Sequence, residues 1–218
     1  PVTSDMDPDI DLMAAHCRWL LDNGCDGLAI LGTTGEANSF GLKERIGILN
    51  GLAEAGIPGG TLMPGTGACA LPDAIALTRV AMDNGAGGVL MLPPFYYKPV
   101  TDDGLFAAYS EVIQRIGDAR LRIYLYHIPQ NTGVTLTLNL IEKLVAAYPD
   151  TVVGIKDSSG DWSNTQRLFG IDGLTVYPGA ELQLIDALDL GGPGCITATA
   201  NVNAGPVAEV IRLHGSGD

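Results

Sequence analysis

One unit repeats along this chain: a helical pattern, a glycine turn, then a short apolar run. The junctions "DNGCDGLAI", "DNGAGGVLM" and "LGGPGCIT" all show it. Apolar runs occupy 27–32, 61–65, 88–94, 122–129, 152–158, 174–179 and 194–201, with starts about 20–35 residues apart. Most are continuous rather than alternating, as in strands covered on both faces. Strands alternating with helices at this spacing predict parallel βα units, and the unit size suits a TIM (β/α)8 barrel. The rival is an open doubly wound sheet, which usually carries a GxGxxG turn after its first strand. "LGTTGE" is the only glycine-rich turn of that sort, and it does not fit. "PVT" at 1–3 reads as the tail of an eighth strand mostly cut away at the front, and 1–218 reads as one barrel domain.

The helical patterns carry their own boundaries. "DPDIDLMAAHCRWLLDNG" places Asp7 at an N-cap, Pro8 at the first helical position and Gly24 past the end. Its Ile10, Met13, Ala14, Cys17, Leu20 and Leu21 share one face. "LKERIGILNGLAEAG" and "LPDAIALTRVAMDNG" also end in glycine, Thr101 and Gly117 bracket the next pattern, and "TLTLNLIEKLVAAYP" stops before Pro149.

Charge and composition narrow the function classes. The formal net charge is −13, with only 12 Lys and Arg. That field repels phosphate backbones and anionic lipid, which argues against nucleic-acid and membrane-surface roles. No apolar run approaches the roughly 20 residues of a membrane span. Cys17, Cys25, Cys69 and Cys195 show no CxxC and no metal-ligand spacing, and His16, His127 and His214 are scattered. The reading is a reduced, cytoplasmic protein with no metal, its cysteines mostly small core residues.

In a barrel the chemistry sits at the C-terminal ends of the strands. Those ends carry "GTTGE" (32–36), "PPFYYKP" (93–99), Tyr126 and His127 before "IPQNTG", Lys156 before "DSSG", then "PGAE" and "TATAN". Hydroxyls and one amine dominate, with few carboxylates. This argues against two-carboxylate glycosidase chemistry and against a metal cage. It suits a nucleophilic amine assisted by phenols and threonines.

Lys156 shares a strand face with Gly154 and Val152. Facing inward, an amine loses hydration, the ammonium is disfavoured, and a neutral amine can attack a ketone to give a Schiff base. The plainer alternative is a lysine that reaches past the strand end to solvent or pairs with Asp157. Tyr126, on the adjacent strand, can pass a proton during carbinolamine breakdown; alone it would read as a core aromatic. Gly32, Thr33 and Thr34 lie in a turn whose exposed backbone N–H groups can hold a carboxylate.

Together, "GTTGE", "Y-H-I-P-x-N-T-G" (126–133), "GIKDSSG" (154–160) and "GCITATAN" resemble the dihydrodipicolinate synthase / N-acetylneuraminate lyase family of pyruvate-handling class I aldolases. The resemblance covers nearly the whole chain. It implies that Lys156 is the Schiff-base lysine, Tyr126 the tyrosine beside it and Thr33 a member of the proton relay. It implies that Thr34 and the Gly32 turn hold the pyruvate carboxylate and that Ile196 lines the pyruvate pocket. Tyr96 matches a tyrosine that reaches into a neighbouring subunit's site, which implies a homodimer or homotetramer. No cofactor is implied beyond the covalent imine; the partners are a keto acid and an aldehyde.

There are two departures. Lysine-pathway synthases carry Arg at the position of Asn131, where it clamps the carboxylate of aspartate semialdehyde. An amide lacks that charged fork, a difference on the order of 1.5–3 kcal/mol, or roughly ten- to over a hundredfold in affinity. The expected aldehyde therefore comes from a 2-keto-3-deoxy sugar acid or a related aldol. The alternatives are dihydrodipicolinate synthase itself, a family dehydratase, or a non-catalytic keto-acid sensor, which would need the carboxylate nest but not the tyrosine. The second departure is length: family members continue further, with a C-terminal helical segment, so that segment and the first strand are expected to be trimmed here.

Overall fold

The computed structural model of the protein describes residues 1–217. At its centre is a four-stranded parallel sheet in the order β1 (Val89–Met91), β2 (Ile123–His127), β3 (Val152–Asp157), β4 (Thr175–Pro178). Parallel bridges Leu28↔Leu62 and Gly65↔Leu90 extend it on one side. On the other, the Ile196 amide donates to the Pro178 carbonyl at 3.1 Å. The helices are α1 (Ile10–Asp22), α2 (Leu42–Glu54), α3 (Leu71–Asp83), α4 (Asp102–Ile116), α5 (Pro129–Thr132), α6 (Leu138–Ala147), α7 (Trp162–Leu168), α8 (Leu184–Asp189) and α9 (Ala200–Ser216). Seven parallel rows taken in chain order, with helices between them, follow the arrangement of a (β/α)8 barrel.

The apolar runs at 88–94, 122–129, 152–158 and 174–179 become strands. Those at 27–32 and 61–65 reach only single bridges, and 194–201 forms no strand: it turns and enters α9 at Ala200. Glycine and proline in these short segments (Gly27, Gly32, Pro64, Gly65) interrupt regular pairing. "PVT" is a correction. Val2 pairs antiparallel with Pro8 and is not a parallel barrel row. That pairing also moves the first helix start: Pro8 is extended, and Asp9, not Asp7, caps α1 by accepting from the Leu12 amide at 2.9 Å. Elsewhere the boundaries hold, with Thr101 capping α4 through the Gly104 amide and Gly117 ending it in the left-handed conformation.

Alternation along the strands creates two cores. Leu125, Ile155 and Val176 point outward and are buried beneath the helices. Each such side chain contributes about 1.5–3 kcal/mol on burial. Leu90, Tyr126 and Ile128 point inward and pack with Ala29, Met63, Leu92 and Tyr124. Tyr124 fills the layer below Tyr126. Its ring occupies the space that a Cβ on its partner Gly154 would need, so glycine at 154 is what lets the ring lie across β3.

Candidate active site

Because side chains alternate along a strand, Lys156 and Tyr126 emerge on the same inward face, opposite each other in the β2–β3 register. Lys156 is half-buried and Tyr126 is buried. The Lys156 Nζ lies 4.6 Å from the centroid of the Tyr126 ring, where the ring's negative face attracts a cation. The Tyr126 hydroxyl is 3.1 Å from Thr33 Oγ1, and either oxygen can donate. Phenol and alcohol are thus hydrogen-bonded to each other at the mouth of the barrel, with the amine over the face of the phenol ring.

Thr33 is carried by the turn after the Leu28 row. Leu31 and Glu36 flank this turn with φ of 53° and 51°, both left-handed. For a buried leucine this is a strained conformation of the kind that persists where surrounding structure imposes it. Here the Leu31 carbonyl passes so close to Gly65 that a Cβ there would collide with it. A cavity of about 320 Å³ opens beside the turn, lined by Gly32, Thr33, Arg45, Leu92 and Tyr126 among others. Lys156 does not line this cavity, but Tyr126, whose ring it faces, does.

On the other side of Lys156 lie Tyr177, its register partner on β4, and the Cys195–Ile196 segment. Burial pushes the Cys195 thiol up to about 11, Glu181 and Cys25 adding to the shift and Lys156 opposing it. At neutral pH the thiol therefore keeps its proton and does not compete with the amine as a nucleophile. Further out, Thr197 donates to Glu181 at 2.7 Å and lies 2.9 Å from Thr199. The hydrogen bonds from Thr197 and Thr199 hold the Glu181 carboxyl below its ordinary range. Gln130 Nε2 donates to the Ser158 carbonyl at 2.6 Å, tying the loop after β3 to α5.

The remaining candidates are dispersed. Gly32 shares the cavity with Thr33, and Ile196 is half-buried beside the end of β4. Thr34 is exposed on its turn, Asn131 is exposed in α5, and Tyr96 is 72% exposed, with its ring edge-on to Tyr97 at 5.1 Å. Among the described residues the side chains of these three make no hydrogen bond. Also among the described residues, no group of 3 or more His, Cys, Asp or Glu could hold a metal ion, and no helix is long and apolar enough to cross a membrane.

One arrangement was missed from the sequence. Asp157 does not pair with Lys156, since neighbours on a strand face opposite sides. It points outward and is buried against His127, with Nδ1 to Oδ1 at 3.2 Å. Burial pushes its carboxyl up, but hydrogen bonds from His127, Ser159, Thr165 and Asn164 outweigh this and bring it down to about 2. The adjacent letters of "YH" and "KD" were the available signal: if Tyr126 and Lys156 face in, His127 and Asp157 must face out together.

A family model described as the dihydrodipicolinate synthetase family matches residues 2–218. A DapA-like lyase of Chloroflexus aurantiacus is 38% identical over 203 residues, covering 92% of this chain and 67% of that protein. The crystal structure of dihydrodipicolinate synthase from Agrobacterium tumefaciens superposes with a TM-score of 0.91 at 42% identity, over 95% of this chain and 73% of that one. The structure of YagE, an E. coli prophage protein of the dihydrodipicolinic acid synthase family in complex with pyruvate, gives a TM-score of 0.90 at 28% identity, over 100% of this chain and 73% of that one.

Proposed function

The chain belongs to the dihydrodipicolinate synthetase family of lyases and synthases, and from that premise we propose that it makes or breaks a carbon–carbon bond between pyruvate and an aldehyde through an imine on Lys156. The observation that carries this reading is the amine held 4.6 Å from the Tyr126 ring, with the phenol hydrogen-bonded to Thr33. A relative of the same family has been crystallised with pyruvate, which supports the choice of keto acid.

The chemistry follows from these groups. The unprotonated Nζ of Lys156 attacks C2 of pyruvate and forms a carbinolamine. Tyr126 delivers a proton to the departing hydroxyl, which leaves as water, and the imine results. Loss of a proton from C3 gives an enamine, with Thr33 completing the path by which the phenol regains its proton. The enamine carbon adds to the aldehyde carbon, the new alkoxide takes up a proton, and water hydrolyses the imine to free Lys156. Cleavage runs the same steps backward. Gly32, Thr34 and the turn amides are assigned the pyruvate carboxylate, Ile196 the pocket wall, and Tyr96 a neighbouring copy's site in a homodimer or homotetramer. No metal or other cofactor enters the scheme.

For the aldehyde, we assign the hydroxylated product of a 2-keto-3-deoxy sugar acid. Asn131 offers an uncharged amide, and Glu181 with Thr197 and Thr199 offers acceptors and donors suited to hydroxyl groups. A carboxylate-bearing aldehyde would face the like charge of Glu181. A second reading, condensation with aspartate semialdehyde, is favoured by the 42% identity to a structure described as dihydrodipicolinate synthase. Lys98 also favours it: its side chain packs against Gly133, two residues from Asn131, and could supply the missing cation.

Borohydride reduction in the presence of pyruvate, followed by peptide mass spectrometry, tests the imine. A reduced adduct on Lys156 is expected, and its absence removes the proposal. A substrate panel then separates the two readings. Turnover of keto-deoxy sugar acids exceeding that of aspartate semialdehyde supports the first. The reverse, abolished by Lys98→Gln, supports the second.

A further inference from the structure

The geometry points to His127 and Asp157 as positioning residues for the Lys156–Tyr126 pair, an inference that rests on the imine reading above. Tyr126↔Lys156 and His127↔Asp157 are consecutive partners in one parallel register, the first facing the barrel interior and the second facing the helices. The outward partners are buried at 3% and 1% exposure. Beyond them the ladder stops: β2 runs into Pro129 at the start of α5, and β3 into the Ser158–Ser159 turn. The reacting pair therefore stands on the second-last rung of two strands, where a rung without support would fray.

The outward pair supplies that support. Asp157 Oδ1 accepts from His127 Nδ1 at 3.2 Å and from the Ser159 amide at 2.9 Å. Its Oδ2 accepts from Asn164 Nδ2 at 3.0 Å and from Thr165 Oγ1 at 2.7 Å. One carboxylate thus joins β2, the end of β3, the following turn and α7, with both oxygens fully used. His127 Nε2 is buried and has no partner among the described residues. The hydrogen is assigned to Nδ1 because only that nitrogen meets an acceptor. The backbone adds bonds at the same level, from the Ser158 amide to the His127 carbonyl at 2.8 Å and from the Gly179 amide to the Asp157 carbonyl at 2.7 Å. A shift of either strand end moves Nζ relative to the phenol, and misplacement near 1 Å costs about a hundredfold in rate.

Single-turnover trapping with pyruvate and borohydride, expressed per folded molecule from a circular-dichroism melt, tests this. His127→Leu is expected to slow trapping on the order of tenfold or more, while the pyruvate concentration giving half the maximal rate moves less than about twofold. His127→Asn, which offers an N–H near the Nδ1 position, is expected to restore most of the rate. Thr165→Val, which loosens Asp157 from α7 only, gives a smaller slowing in the same direction and serves if His127→Leu does not fold. Trapping at the wild-type rate in both His127→Leu and Thr165→Val overturns the inference, as does an asparagine variant as slow as the leucine variant. A purely structural role would lower the melting temperature and leave the rate per folded molecule unchanged. Wild-type protein that traps no pyruvate overturns the imine reading itself, a result distinguishable from the others.

Discussion

The two faces of the β2–β3 pair, one residue apart, solve opposite problems. Outward, His127 and Asp157 lie in a dry layer under α7, and every oxygen of the carboxylate is hydrogen-bonded. Inward, Lys156 has an aromatic ring face beside it but no carboxylate within salt-bridge distance among the described residues. A buried charge must be compensated to persist, whereas a nucleophile must not be fully engaged. The outward rung is built to be rigid and the inward rung to react, and the shared backbone makes the first a condition of the second.

Removing the inward groups should have the largest effects. Lys156→Ala deletes the atom that bonds to the keto acid, so adduct formation should vanish and kcat should fall by at least about 10⁴-fold, read by trapping and by steady-state turnover. Tyr126→Phe keeps the ring beside Nζ and deletes only the hydroxyl. Turnover should fall on the order of 10²–10³-fold, with folding retained because the buried ring still fills its place. A phenylalanine variant of nearly full activity would assign the proton to another group and leave the inward rung a packing feature.

The inward rung was legible because its chemistry violates the pattern around it: a lysine in an apolar strand is conspicuous, and Tyr126 lies at the same level of the next strand. The outward rung was not, since His127 and Asp157 acquire meaning only when the register sets them opposite each other and α7 closes over them. α7 and α8 are 7 and 6 residues long, too short for a helical period to stand out. The barrel was readable from its repeating unit. Its irregular rows were not, because hydrophobicity at 27–32 and 194–201 does not report ladder pairing. The antiparallel turn-back of Val2 onto Pro8 depends on a local contact that no periodicity encodes.

The outward rung can be tested through acid. Asp157 titrates near 2 in the folded protein against an ordinary value of 3.8. Its folded pKa is depressed, so it stabilises the fold fully above about pH 4, and that contribution is lost as pH falls from there through 2. The difference corresponds to about 2 kcal/mol. Plotted against pH, the unfolding free energy of wild type should therefore fall more steeply than that of Asp157→Asn between pH 4 and 2. Parallel curves would mean that the carboxylate network is not formed as described.

The smallest effect belongs to Thr33, which sits at the edge of both regions. Its side chain is exposed and, among the described residues, bonds only to the Tyr126 hydroxyl, so Thr33→Val should leave the melting temperature within about a degree of wild type. Losing one neutral hydrogen bond is worth about 0.5–1.5 kcal/mol, hence a fall in turnover of up to roughly tenfold. The distribution of that loss is informative. If Thr33 serves proton return to the phenol, carbon–carbon bond turnover slows more than the first trapping of pyruvate, because a single trapping event needs the phenol's proton only once. Equal slowing of both would instead mean that Thr33 merely orients the Tyr126 ring over Lys156, placing it with His127 and Asp157 among the groups that set geometry.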